Sequence, residues 1–205
     1  GGTMKSQTTR WWLVRHAPVL NPERLVYGRS DMPVDLSDEK ALRALARHLP
    51  KDAVWVTSHL SRTLDTALKL QELIDEDVIP TRETALAEQH FGAWELQHWN
   101  DLPKGETTKF WTDFARQHPP NGESFSDVVA RVGPIFSRIN RYWAGRDIVA
   151  VIHGGTVRAV LANALGLSLE TVLSFHIDTL GLTRLEYIDG VDQPGWRVTA
   201  VNQRY

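Results

Sequence analysis

No cysteine occurs in the 205 residues. Composition alone therefore excludes a disulfide framework, a zinc ribbon, a thiol nucleophile and an iron–sulfur cluster. A chain without thiols fits a cytoplasmic setting. Long apolar runs are missing too. The run 148–152 is short, and the stretch 157–173 is broken by Arg158, Asn163 and Glu170. Neither approaches the ~20 apolar residues that span a bilayer, so no membrane partner is expected. The opening residues lack the charged-then-apolar pattern of a signal peptide, and Gly1, Gly2 and Thr3 ahead of Met4 read as a cloning scar. There is also no excess of positive charge: 23 Lys and Arg stand against 25 Asp and Glu, a formal net charge of −2. That excludes a generally basic surface for nucleic acid but leaves room for a local basic pocket. What remains is an ordinary globular mix, 42% hydrophobic and 23% charged. A chain of this length forms one domain with one substantial core, spanning residues 4–205.

Along the chain, residues 11–15 (WWLVR) and 53–57 (AVWVT) read as buried strands. Residues 148–152 (IVAVI) give the clearest buried strand, 78–79 a short one, and 183–188 and 197–201 two late ones. Between them the apolar spacing turns helical. Ser37 is placed to cap a helix over 38–48, which Pro50 stops. Further helices are expected over 60–74, 110–117, 124–143 and 156–165, the last ended by Gly166, with Pro134 kinking or interrupting 124–143. Strands alternating with helices predict an α/β architecture with a mostly parallel central sheet. The block 83–143 reads as a mostly helical insertion capping one end.

In open α/β sheets, ligands sit beyond the carboxyl ends of strands, often where a helix begins. Arg15 and His16 follow the first strand. Ser58 follows the second, with Arg62 one turn into the next helix. His153, Gly154 and Gly155 follow the strand at 148–152. Two histidines and two arginines thus meet at the edge expected for ligands, and together they suggest phosphoryl chemistry. Arginine makes paired, planar bonds to phosphate oxygens, and fixed cations stabilise the charge spread over a phosphoryl group in transfer. The N–H groups at Gly154 and Gly155 can add an anion site, while a neutral imidazole is a competent nucleophile.

Five segments together resemble the histidine phosphatase superfamily, the phosphoglycerate mutase-like proteins. They are Leu13-Val14-Arg15-His16; Ser58, Arg62, Thr66 and Ala67; Glu88, Phe91, Gly92, Trp94 and Glu95; Gly122, Glu123, Ser124, Asp127, Arg131 and Val132; and Val151-Ile152-His153-Gly154-Gly155. They come in the family's order and span residues 13–158. The resemblance implies a three-layer sandwich with a helical insertion over the active site. It also implies that His16 is the nucleophile, that Arg15, Arg62 and His153 bind the phosphoryl oxygens, and that Glu88 is the acid and base. The chain departs from the commonest motif, Arg-His-Gly-Glu, by running Arg15-His16-Ala17-Pro18. Pro22 stands where an Asn is usual, with Asn21 one residue early. The segment Tyr27-Gly28-Arg29-Ser30-Asp31 is similar to the alpha-ribazole phosphatase branch and makes Arg29 a further candidate for substrate contact.

The expected function is a metal-independent phosphomonoesterase working through a phosphohistidine on a small phosphate ester, with alpha-ribazole phosphate as one candidate. A phosphoglycerate mutase-type transferase is the alternative. A non-enzymatic phospho-ligand-binding module on the same fold is a third reading, disfavoured because His16, Arg62, Glu88 and His153 are all present. No cofactor or metal is expected, because no histidines show zinc-ligand spacing and no HExxH motif occurs. The assembly expected is a monomer or homodimer. Among the tryptophans, Trp11, Trp55 and Trp143 read as core, whereas Trp94, Trp99 and Trp111 in the insertion could line a substrate cleft, with packing in the core or cap the favoured reading.

Overall fold

A computed structural model describes residues 5–205; Gly1, Gly2 and Thr3 lie outside the described residues. Its centre is a six-stranded sheet in the order β3-β2-β4-β1-β5-β6. The strands are β1 (Gln7–Arg15), β2 (Val54–Thr57), β3 (Thr81–Arg82), β4 (Asp147–Ile152), β5 (Leu182–Asp189) and β6 (Gly195–Gln203). The β3–β2, β2–β4 and β4–β1 pairings are parallel, and β1–β5 and β5–β6 are antiparallel. The sheet is thus mostly parallel, as the alternation of strands and helices required.

The central strands carry continuous apolar runs (11–14, 54–56 and 148–152) because both faces of the sheet are covered there. Side chains alternate across a strand. Ile148, Ala150 and Ile152 join Trp11 and Leu13 in one core, with Val128, Val132 and Ile135 of α4 (Phe125–Tyr142) and Val157 and Leu161 of α5 (Gly154–Leu165). Val149 and Val151 join Val14 and Trp55 in a second core on the opposite face. There they meet Leu42 and Leu45 of α1 (Glu39–Ala46) and Ala67 and Leu70 of α2 (Ser61–Leu73). Helix, sheet and helix make the three layers.

Several local expectations shift. Asp38 rather than Ser37 caps α1, its carboxylate accepting from the Ala41 N–H at 3.1 Å. Val78 and Ile79 form no strand: the Val78 N–H is taken by Gln71 Oε1 at 3.1 Å, Ile79 is 92% exposed, and β3 forms just beyond them. The helix expected over 110–117 lies earlier, as α3 (Lys104–Thr112). Its apolar spacing had a different cause. Phe110 and Phe114 belong to an aromatic cluster with Phe91 and Trp94, not to one continuous helix face. A short helix α6 (Leu169–Leu173), capped by Ser168, was not anticipated. Helix α4 runs unbroken through Pro134. Because α4 packs in the flanking layer, the part of 83–143 that does not is its stretch of 3-10 turns with α3.

Gly166 ends α5 in the left-handed conformation, φ 63°, as its sequence position suggested. The start of α4 is a reciprocal cap. Ser124 Oγ accepts from the Asp127 N–H at 3.1 Å, and Asp127 Oδ2 accepts from the Ser124 N–H at 2.9 Å. Replacing Ser124 by Ala should lower stability by about 1 kcal/mol. The expected result is a lower urea midpoint with an unchanged slope; an unchanged midpoint would show that the cap contributes nothing.

Candidate active site

The site starts from one register. Arg15 pairs with Ile152 in the parallel β1–β4 ladder, so the next residue of each strand, His16 and His153, leaves the sheet beside the other. The His16 N–H donates to Ile152 O at 3.0 Å, and the two rings meet edge to face with centroids 5.2 Å apart. Both are buried. His16 Nδ1 lies 2.6 Å from the Ala17 carbonyl oxygen. A carbonyl can only accept, so Nδ1 carries the proton, and in a neutral ring Nε2 keeps its lone pair.

The ring is held neutral. Burial is the main cause and lowers the His16 pKa to about 3; the Ala17 hydrogen bond opposes this, and the charges of Arg62 and Arg15 add to it. Burial also holds His153 well below the usual histidine value, with His16, Arg62 and Arg15 acting the same way. Without a bound anion the buried His153 ring stays neutral. His153 Nε2 meets Ser58 Oγ at 2.8 Å, and its Nδ1 has no partner.

The arginines are fixed by backbone carbonyls. Arg15 Nη1 donates to Ile177 O at 2.6 Å, while its buried Nε is unpartnered. Arg62, fully buried at the start of α2, donates from Nη1 to Ser30 O at 2.7 Å and from Nη2 to Gly28 O, with its guanidinium 5.1 Å from the Tyr27 ring centroid. The loop presenting those carbonyls is gathered by Glu95. Its carboxylate accepts from the N–H groups of Gly28 and Ser30 at 3.0 Å, from Phe91 N–H at 2.8 Å and from Ser30 Oγ at 2.6 Å. Burial would raise the pKa of Glu95, but these bonds outweigh it and the pKa is lowered.

Glu88 faces this group from the loop after β3. Its Oε1 accepts from the Gln89 N–H at 2.9 Å and its Oε2 from the Gly155 N–H at 3.2 Å. A Cβ on Gly155 would lie 2.3 Å from Glu88 Oε1, so the absence of a side chain there makes room for the carboxylate. The loop is clamped by Arg131 of α4, which donates to Ala85 O at 2.7 Å, Glu88 O at 3.1 Å and Glu123 Oε2 at 2.8 Å. Glu123 in turn accepts from the His90 N–H at 2.9 Å.

Together these groups border a cavity of about 260 Å³. Arg15, His16, Arg62, Glu88 and Gly155 line it, with Phe91, Phe114 and Phe125 as an aromatic wall. His153 and Gly154 lie behind the lining, buried. Arg29 does not line it; its Nη2 sits 3.7 Å from Glu123 Oε1. Asn21 is used locally, binding both the N–H and the carbonyl of Leu25. The cleft is walled by phenylalanines and by none of the tryptophans of the insertion. Trp94 is buried in the aromatic cluster and Trp111, 56% exposed, faces out. Arg158 lines the cavity and was not singled out from the sequence. It stands four residues after Gly154, on the same face of α5, and that spacing is the signal that could have found it.

A neutral imidazole with a free ring nitrogen, flanked by fixed guanidiniums and opposed by a carboxylate, belongs to enzymes that handle phosphoryl groups. Residues 11–203 match the Histidine phosphatase superfamily (branch 1), and the chain belongs to that family. It is an enzyme that hydrolyses phosphate esters. Among its relatives, the adenosylcobalamin/alpha-ribazole phosphatase of Salmonella typhimurium is 30% identical over 82% of this chain and 86% of that protein. A 2,3-bisphosphoglycerate-dependent phosphoglycerate mutase 2 of Gloeobacter violaceus is 31% identical over 81% of this chain and 80% of that protein. The crystal structure of the alpha-ribazole phosphatase from Shigella flexneri has the same fold, with a TM-score of 0.81 at 24% identity, covering 95% of this chain and 96% of that one. No helix among the described residues is long and apolar enough to cross a membrane.

Two predictions follow from this geometry. Histidines held neutral in the fold but free to protonate when unfolded make the unfolded state bind more protons below the unfolded pKa of about 6.5. Stability contributed by neutral His16 and His153 is therefore present above that pH and lost as pH falls, by about 2 kcal/mol for His16 at pH 5, with His153 acting in the same direction. Thermal melting between pH 7 and pH 5 should fall less steeply in His16→Asn than in the wild type; equal slopes would mean that His16 is not held neutral by the fold. Separately, Gly155→Ala should push the Glu88 carboxylate aside and slow turnover roughly ten- to a hundredfold, a part of what general acid–base groups supply. Its melting temperature should change little, and unchanged turnover would show that the carboxylate tolerates displacement.

Proposed function

We propose that this chain is a metal-independent phosphomonoesterase in which His16 Nε2 attacks the phosphorus of a small soluble ester. The observation that carries this reading is the His16 ring itself: neutral, its proton fixed on Nδ1 by Ala17, and bordering the same cavity as Arg15, Arg62 and Glu88. In the first step the P–N bond to Nε2 forms and the P–O bond to the alcohol breaks. Glu88, entering as the acid, gives its proton to the departing oxygen. In the second step the Glu88 carboxylate takes a proton from water, the water oxygen bonds to phosphorus, and the P–N bond breaks, restoring neutral His16. The guanidiniums of Arg15 and Arg62 stabilise the equatorial oxygens in both steps, with the unpartnered Arg15 Nε among the donors at hand. His153 would take up a proton when the anion binds.

The phenylalanine wall suits a flat or apolar leaving group. Together with the cobalamin-linked relatives, it makes alpha-ribazole phosphate a candidate substrate. Absence of cysteine and of a membrane-spanning helix among the described residues is in keeping with work in the cytoplasm on a soluble ester.

Rapid-quench phosphorylation in excess EDTA tests the scheme with an activated aryl phosphate and an alkyl phosphate. Wild type should form an acid-labile phosphoenzyme that His16→Ala lacks. Glu88→Gln should slow phosphorylation by the alkyl ester about a hundredfold or more and by the aryl ester far less, since a phenolic oxygen leaves without a proton. Equal loss on both esters would reject Glu88 as the acid, and activity restored only by added metal would reject the metal-free site.

A further inference from the structure

Three arginines border the cavity, and they differ in what their guanidinium ends do. Arg62 gives both Nη atoms to backbone carbonyls, and Arg15 gives one. Arg158 donates only from Nε, to Phe175 O at 2.8 Å in the segment following α6. Among the described residues neither of its Nη atoms has a hydrogen-bond partner, and no carboxylate lies within ion-pair distance of it. The Nε bond fixes the plane of the group, so the fork is held in place with its outer edge unused.

Its position separates it from the phosphoryl end of the site. The cations acting on His16 are Arg62 and Arg15. Arg158 stands one turn along α5 from Gly155, whose N–H binds Glu88 Oε2. Glu88 is the group placed to protonate the departing oxygen, so Arg158 stands on the side where the alcohol leaves. Leu173, the last residue of α6, belongs to the apolar wall of the same cavity, and Phe175 two residues on is the one that holds Arg158 Nε.

We infer that Arg158 is a specificity-determining residue: its free Nη edge takes a pair of adjacent oxygens on the leaving alcohol, supplied by a vicinal diol or by a carboxylate. Both present two acceptors side by side, which a fixed guanidinium fork matches and a point charge does not. Charge points the same way. Arg15, Arg62 and the proton taken up by His153 already match the charge of a dianionic phosphate, so the Arg158 charge is left to be met by electron-rich oxygens of the leaving group. A leaving group without them would face an unmet cation beside an apolar wall, at the cost of an unsatisfied polar group.

This inference rests on the phosphomonoesterase reading, and the test keeps the two apart. Three esters of equal carbon number serve as probes: propyl phosphate, with no extra oxygens; glycerol 3-phosphate, with a vicinal diol; and 3-phosphoglycerate, with a carboxylate. Wild type should favour at least one oxygenated ester over propyl phosphate by about tenfold or more in kcat/KM. Preference for glycerol 3-phosphate identifies the diol, and preference for 3-phosphoglycerate alone identifies the carboxylate. Arg158→Gln should lose most of that preference by losing more activity on the favoured ester than on propyl phosphate. Arg158→Lys should keep part of a carboxylate preference and little of a diol preference, and it carries the comparison if the glutamine variant melts early. Absence of any preference in wild type, or an equal loss on all three esters in Arg158→Gln, would overturn the inference, the latter by placing Arg158 among the phosphoryl-binding groups. A wild type that forms no phosphoenzyme with an aryl phosphate overturns the phosphatase reading itself, and this inference with it.

Discussion

The parallel register of β1 against β4 is the constraint from which the site is built. Arg15 opposite Ile152 means that both strands end together and that the next residue of each is a histidine. A slip of one residue would turn every side chain of a strand to the other face of the sheet. It would exchange side chains of different size between two close-packed cores and separate the rings that now meet at 5.2 Å. Because the central strands are apolar on both faces, the register is fixed by the fit of their large and small side chains into each core. The packing of Ile148, Ala150 and Ile152 below and Val149 and Val151 above is therefore also what positions the chemistry.

Burial then determines the electrostatics. Isolated buried cations are expensive unless hydrogen-bonded. Arg62 reaches full burial by giving its donors to two loop carbonyls, and the half-buried Arg15 donates to Ile177. The histidines respond the other way: enclosed beside those cations, they stay neutral. One arrangement thus supplies both a permanent positive field for a dianion and an uncharged nucleophile. In water these demands would conflict near neutral pH, where a histidine is partly protonated.

The layers and the strand-end residues were legible in the sequence because their signals are local. A run such as 148–152 announces a buried strand, and His153-Gly154-Gly155 directly after it announces a helix start facing a ligand. Motifs added Glu88, which no periodicity marks. What could not be read depends on contacts between distant segments. The charge state of His153 follows from complete burial beside Arg62 and Arg15. The phenylalanine wall is assembled from Phe91, Phe114 and Phe125, which belong to separate segments. Phe110 and Phe114 carried helical spacing, and their shared cluster, not one helix, produced it. Asn21 stands one residue early for the usual Asn, and Arg29 is a candidate for substrate contact by sequence position. The fold uses one to tie its own loop and sets the other beside Glu123.

Two acidic residues of the sequence motifs illustrate how the rest of the site is held. Glu95 and Glu123 do not line the cavity, yet each gathers backbone N–H groups that have no partner in a helix or strand. Glu95 shapes the loop whose carbonyls receive Arg62. Glu123, with Arg131, secures the chain on either side of Glu88. A loop normally carries backbone groups satisfied by water and pays in mobility. Here carboxylates and a guanidinium replace the water, so two loops from opposite ends of the motif order are fixed relative to the sheet. The bond from Gly155 N–H to Glu88 then joins the carboxylate to the helix that follows His153. Nucleophile and acid are thereby referred to the same strand end, which lets an irregular segment hold a proton donor across the cavity from a ring set by the β-sheet.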